Sequence, residues 1–310
     1  MIKGLYEQVQ RMEVTGSRFW SYQYKINKLI VNALYPAIQN FNYKSGIEPN
    51  SDVVVSLTTY PARIKTVWMT IASLMNQTYK PLHIVLYLSK EQFPDGENGL
   101  PKKLFGLKKR GLTIKFVDGD LKPHKKYFYA FKEFKDKYVL TADDDVFYPE
   151  NHIEQFIKAI EKYPEAIICN RSHLIAFDES HEFLPYKKWT DNVTEIPDML
   201  TLAVGGNGVM YRPRMFSEEI FNENNIINSS LYTDDLWLKA MEVRDNIPVY
   251  NYASSSLVYF DNLRNKETGL WHVNTSDGKN RNDIAWEDII KLYPEVKEKL
   301  YNNYNESDIK

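Results

Sequence analysis

Four short apolar runs, separated by stretches of helical periodicity, constrain the fold of this chain more than any other feature. Residues 53–57 read Val-Val-Val-Ser-Leu, and further runs follow at 83–88, 112–117 and 138–142. A strand apolar along nearly its whole length is covered on both faces. Between these runs, residues 67–75, 101–109 and 127–134 carry apolar side chains at helical spacing. Strand–helix units in this order need crossovers, which predicts an α/β fold with a mostly parallel central sheet flanked by helices. Ligands of such sheets bind beyond the carboxyl ends of the strands. The informative residues are therefore Thr58, Thr59, Tyr60 and Arg63 after the first strand, where Pro61 ends the ladder, and Asp143, Asp144 and Asp145 after the fourth.

Composition narrows the function classes. With 39 Lys+Arg against 41 Asp+Glu, the net charge of −2 gives no general attraction to nucleic acid. The single cysteine, Cys169, excludes an internal disulfide framework and a multi-cysteine zinc site, and reads as a small buried hydrophobe. No segment has the ~20 consecutive apolar residues of a membrane span, and no signal peptide is expected.

Residues 1–50 differ in character and are expected to form a helical arm. Phe19, Tyr22, Ile26, Leu29, Ile30, Ala33 and Leu34 recur at helical spacing beside an excess of basic residues. The stripe reads as packing on the main domain or a partner, with contact to an anionic membrane surface as the alternative. Pro36 and residues 44–51 read as a linker.

The acidic triplet is the main chemical signal. Three adjacent carboxylates at the end of a buried strand repel one another and are partly desolvated, which is costly without a cation. Alternation along an extended chain points Asp143 and Asp145 to one side and Asp144 to the other. Two hard oxygen ligands with open positions suit Mg²⁺ or Mn²⁺ shared with substrate phosphates. A solvated turn, with Asp144 and Asp145 capping the helix after Pro149, is the plainer alternative. The spacing lacks the Gly and Glu of an EF-hand loop, and neither a P-loop nor a GxGxxG turn occurs.

At this point the chain resembles GT-A-fold, family-2-like bacterial glycosyltransferases. The resemblance rests on the Asp-x-Asp triplet together with residues 56–64 (Ser-Leu-Thr-Thr-Tyr-Pro-Ala-Arg-Ile), 74–78 (Leu-Met-Asn-Gln-Thr), Lys125-Lys126-Tyr127, Arg171-Ser172-His173, 205–213 (Gly-Gly-Asn-Gly-Val-Met-Tyr-Arg-Pro) and Thr233-Asp234-Asp235-Leu236-Trp237. It spans about residues 52–290 and implies transfer of a sugar from a nucleotide-sugar donor, a UDP-sugar foremost, with Mn²⁺ or Mg²⁺ on the diphosphate. One position departs from the pattern. Residues 88–92 read Leu-Ser-Lys-Glu-Gln where many relatives carry an acidic turn for the nucleobase and ribose, so the base is not carried over.

The resemblance also implies roles. Asp143, Asp145 and His272 are candidate metal ligands. Thr58, Tyr60, Arg63, Lys125, Lys126, Asp143 and Asp144 are candidate donor-site residues, and Arg171, His173, Gly206, Asn207 and Trp237 candidates for the acceptor or sugar site, with a core position the plainer reading of Trp237 in its helix. Asp235, with Asp234 as substitute, is the candidate base of an inverting transfer, at the start of a helix that Thr233 is expected to cap. The acceptor would be a glycan or lipid-linked sugar of a bacterial surface polysaccharide, and the enzyme would work in the cytoplasm, in peripheral contact with the inner membrane face. The expected divisions are an arm at 1–50, a catalytic domain at 51–290 and a helical tail at 291–310. A sugar nucleotidyltransferase and a non-catalytic binding module of the same fold are the rivals; the first lacks its Gly-rich basic loop after Leu57.

Overall fold

β1 (Val53–Thr58) takes the middle of the sheet because no side chain from Val53 to Leu57 needs water. It pairs in parallel with β2 (His83–Ser89) on one side and β4 (Tyr138–Ala142) on the other. β3 (Leu112–Val117) is an edge strand beyond β2, which is why it tolerates Thr113 and Lys115. The computed structural model describes residues 2–39, 44–252, 258–268 and 280–307.

Alternation along these strands divides the core in two. Val53, Val55, Leu57, Leu86 and Leu140 enter one apolar cluster, covered by α3 (Val67–Leu74) and α4 (Lys102–Lys108). Val54, Val85 and Val139 enter the other, covered by α5 (Lys125–Glu133). Beyond β4 the sheet continues with β10 (Val209–Tyr211), β6 (Ile167–Cys169) and β11 (Val249–Asn251). Among the described residues β10 is the strand that runs antiparallel to its neighbours, so the sheet is mostly parallel. It is entered through Gly208, whose φ of +95° favours glycine. Cys169 is buried in β6.

Two smaller sheets flank the carboxyl ends of the strands. β7 (Ser172–Leu174) lies between β8 (Thr190–Asp191) and β9 (Thr201–Ala203), and β5 (Val146–Phe147) pairs with β12 (Phe260–Asp261). α6 (His152–Lys162) follows β5. α7 (Glu223–Ser229), α8 (Asp234–Arg244), α9 (Arg281–Leu292) and α10 (Pro294–Ser307) close the second face, with Trp286, Ile289, Val296 and Leu300 buried between them.

The arm is a helical pair, α1 (Ile2–Val14) and α2 (Trp20–Gln39). It packs on the main domain, but not through the predicted stripe. Phe19, Tyr22, Ile26, Leu29 and Ala33 are exposed, and Tyr24, Asn27, Val31 and Tyr35 face inward instead. Hydrogen bonds select that face: Tyr6 Oη donates to the Phe147 carbonyl at 2.8 Å, Tyr24 Oη to the Tyr259 carbonyl at 3.0 Å, and Asn32 Nδ2 to the Asp261 carbonyl at 3.0 Å. Pro36 does not begin a linker; it lies within α2. Its missing N–H frees the Asn32 carbonyl, which Arg264 Nη1 takes at 3.1 Å. No helix among the described residues is long and apolar enough to cross a membrane.

Candidate active site

The carboxyl ends of β1 and β4 open into a cavity of about 960 Å³, closed opposite by the 205–207 turn and the start of α8. That volume lies within the range of small-molecule sites. Thr58, Tyr60, Arg63, Lys125, Lys126, Asp143, Asp144, Asp145, Arg171, Gly206, Asn207, Asp234 and Asp235 all line it.

The triplet divides as alternation demands. Asp144 is buried, takes Arg63 Nη1 at 2.5 Å and accepts the Thr59 hydroxyl. Arg63 Nη2 reaches Asp145 at 3.0 Å. Asp143 and Asp145 keep about a third of their side chains open (32% and 30%), whereas Asp144 keeps 7%. Asp144 and Arg63, both expected to meet the donor, thus hold each other; they position the triplet. Burial, against the pull of Arg63 and with the push of Asp143 and Asp144, raises Asp145 to about 7. The plainer alternative also falls. The residue at the cap of α6 is Asn151, so Asp144 and Asp145 cap nothing.

Lys126 connects the triplet to the second acidic pair. Its Nζ lies 3.0 Å from Asp143 Oδ1 and 3.1 Å from Asp234 Oδ2. Burial works to lower its pKa, but Asp143, Asp234 and Asp235 more than reverse that and leave it well above the usual lysine range. It is a fixed positive charge between two anionic centres. Asp235, in the first turn of α8, accepts the Gly205 backbone N–H at 3.2 Å on either oxygen. Burial and the neighbouring Asp234 push Asp235 up to about 7, against the opposing effect of Lys126. A half-buried carboxylate titrating near neutrality suits a general base. A Cβ at Gly205 would sit 2.9 Å from Asp235 Oδ1 and 3.0 Å from Lys126 Nζ, so a side chain here would displace one or both of these groups. Thr233 occupies the cap position of α8 without capping it; its hydroxyl goes back to the Ser230 carbonyl at 3.4 Å.

Other predicted residues are placed differently. Lys125 is buried against Asp120 rather than open to a phosphate. Thr58 uses its hydroxyl on the Tyr87 carbonyl at 2.8 Å. Trp237 is fully buried and donates to the Ile220 carbonyl at 3.1 Å, so no sugar can stack on it. His173 lies behind the pocket wall, edge-on to Tyr186, and Tyr186 is the residue that lines the cavity. His272 lies outside the described residues. Arg171 is exposed in the pocket and has no ion-pair partner among the described residues, which leaves its charge available.

Tyr186, Tyr232, Lys122, Asp261 and Asn282 also line the cavity and were missed. Lys122 was within reach of the strand-end rule, since it follows β3 by a few residues. The others come from a short 3-10 turn, a loop, a two-residue strand and a helix start, where no local periodicity signals them.

The donor chemistry fits a hard divalent ion. Asp143 and Asp145 turn toward the cavity, and burial holds the Asp145 carboxyl above its ordinary range even with Arg63 beside it, a desolvated charge that a cation would relieve. Mg²⁺ is commonly held by one or two carboxylates plus water and substrate phosphates, so two protein ligands suffice. Among the described residues no group of three or more His, Cys, Asp or Glu forms a cage.

A family model described as "Glycosyl transferase family 2" matches residues 55–223, more than half of the chain. The chain belongs to glycosyl transferase family 2. It is therefore a glycosyltransferase, and its sheet and flanking helices are those of the α/β GT-A fold. The family 2 region runs from β1 through the triplet to the 205–208 turn and stops short of Asp234 and Asp235. A comparison with curated proteins gives no match. Similar solved structures include S. aureus TarS 1–349 in complex with UDP (15% identity, 66% of this chain and 59% of that one, TM-score 0.39). The mannosyltransferase PcManGT from Pyrobaculum calidifontis, in complex with GDP-Man and Mn²⁺, is 10% identical over 100% of this chain and 87% of its own, with TM-score 0.40. The 4-diphosphocytidyl-2C-methyl-D-erythritol synthase of Anaerococcus prevotii is 15% identical over 67% of this chain and 91% of that one, with TM-score 0.41.

Proposed function

We propose that this family 2 enzyme transfers a sugar from a nucleoside diphosphate sugar, a UDP-sugar foremost, to a hydroxyl of a glycan or lipid-linked acceptor, with inversion. The pathway is assembly of a bacterial surface polysaccharide, in the cytoplasm and at the inner membrane face. The supporting observation is that one cavity is faced by both acidic centres: Asp143 and Asp145 at the mouth of β4, and Asp235 at the start of α8. Pure binding needs no second carboxylate of raised pKa.

Asp143 and Asp145 would hold Mn²⁺ or Mg²⁺, which supplies charge neutralisation at the departing diphosphate. Arg171 adds a cation on the same wall, and Arg engages phosphate oxygens with two donors. Arg63 keeps the triplet in place by occupying Asp144. Lys126 holds Asp143 and Asp234 at fixed positions and keeps their charges from forcing the centres apart. Asp235, ionised and oriented by the Gly205 N–H, takes the proton of the acceptor hydroxyl. The freed oxygen attacks the anomeric carbon from the face opposite the diphosphate as the carbon–phosphate-oxygen bond breaks.

Incubation with UDP- and GDP-sugars, with and without Mn²⁺, separates the readings. The expected result is nucleoside diphosphate released only in the presence of the ion. Pyrophosphate-dependent formation of a nucleoside triphosphate would instead indicate a nucleotidyltransferase, and binding without turnover a non-catalytic module.

A further inference from the structure

The outer face of the arm is an apolar stripe that the fold leaves open. Phe19, Tyr22, Ile26 and Leu29 are 61%, 73%, 44% and 61% exposed. Tyr22, Ile26 and Leu29 lie on one side of α2, with Phe19 in the turn just before it, about 150° from the buried Asn27 and Val31. The stripe covers roughly 400 Å², the size at which an apolar patch on a monomer is often functional. Its own chain segment is cationic. Between Glu13 and Glu48 the chain has no acidic residue, while Arg18 and Lys25 are exposed beside the stripe, Arg18 over the Phe19 ring at 5.2 Å.

We propose that this face of α2 docks on an anionic lipid bilayer, and that the acceptor is accordingly lipid-linked. Aromatic and aliphatic side chains on one helix face, with Arg and Lys at its margin, suit the boundary between headgroups and acyl chains. A second copy of the chain is the poorer occupant. The stripe offers about half of the ~800 Å² per partner of a standard protein interface, and two acid-free cationic helices would repel. The docking face is tied to the cavity. Lys28, on the flank of α2, is ion-paired with Asp261, and Asn32 donates to the Asp261 carbonyl at 3.0 Å. Asp261 lines the active-site cavity. Asp261 thus joins the helix that carries the stripe to the wall of the cavity, and an enzyme held on a bilayer meets acceptors that are anchored there. The docking stands on the arm alone; the acceptor class rests on the glycosyltransferase reading above.

Co-sedimentation with vesicles tests this. The full chain is mixed with vesicles of pure phosphatidylcholine and with vesicles containing about one-third phosphatidylglycerol. The expected result is binding to the anionic vesicles that weakens at least tenfold in 0.5 M NaCl (roughly a threefold shorter screening length than at 0.05 M). Binding should also fall at least tenfold in Phe19→Ser/Leu29→Ser and in Arg18→Glu/Lys25→Glu, all at exposed positions. Donor hydrolysis by these variants should stay at the parental rate, which separates failure of docking from failure of the catalytic reading. Absence of binding to anionic vesicles would overturn the proposal. So would a dimer in sedimentation velocity that Phe19→Ser/Leu29→Ser dissociates, since that assigns the face to a second copy.

Discussion

Asp235 and Arg63 carry opposite kinds of consequence. If Asp235 is the base, Asp235→Asn should lower kcat by about 10²–10⁴-fold, the usual range for general-base catalysis. Steady-state kinetics check this, and near-parental turnover would remove the assignment. Because burial and Asp234 push Asp235 up to about 7, kcat/KM should fall about tenfold per pH unit below that value, and the limb should vanish in the Asn variant. Stability should run the other way. A carboxyl whose pKa is raised in the fold binds its proton more tightly there, so its stabilising contribution is full below about 4 and is lost as pH rises through about 7. Asp235→Asn should therefore melt a few degrees above the parent at pH 8 and show no gain at pH 4. Arg63→Ala exposes the converse case. It leaves the buried Asp144 and the adjacent Asp145 without their cation, a loss on the order of 3–5 kcal/mol for a broken buried pair. Urea unfolding should show a larger deficit at pH 8 than at pH 5, where protonation relieves the stranded carboxylates. An equal deficit at both would mean that Arg63 acts through packing.

At the scale of elements, the 205–208 turn brings the two halves of the site together. A Cβ at Gly205 would press on Asp235 Oδ1 and Lys126 Nζ, whereas one at Gly206 would meet Arg171 Nη1 at an ordinary 3.6 Å. Gly205→Ala should thus cost at least tenfold in kcat with little change in melting temperature, and Gly206→Ala should retain most activity. Comparable losses in both would deny the turn its selective role. The turn also marks the limit of sequence reading. β1, β2, β3 and β4 were legible because burial on both faces leaves a local signature, and the acidic triplet because it ends such a strand. The buried side of α2 was not. Tyr24, Asn27 and Asn32 are amphipathic or polar, so hydrophobic spacing favoured the wrong face, and the hydrogen bonds that choose between faces reach residues more than 200 positions away. Trp237 is core, the plainer of its two readings, and Tyr186, on a turn with no periodic pattern, reaches the cavity.

For the whole molecule, the sheet acts as a rigid plate whose carboxyl edge collects groups far apart in sequence. Arg63, Asp145, Asp235 and Asp261 meet at one cavity because β1, β4 and β12 end there and α8 begins there. What each residue contributes then depends on partners that only the fold supplies. Arg63, chosen as a phosphate ligand, is spent on Asp144, whereas Arg171 is left open among the described residues. The central claim is that Asp143 and Asp145 hold a divalent ion and, through it, a diphosphate. Titration calorimetry of UDP and of GDP, with Mn²⁺ and then with excess chelator, tests it directly. The parent should lose at least tenfold in affinity for its nucleotide on chelation, and Asp143→Ala/Asp145→Ala, shown to be folded by circular dichroism, should bind equally weakly in both buffers. Nucleotide affinity that ignores both the chelator and the double substitution would contradict the account.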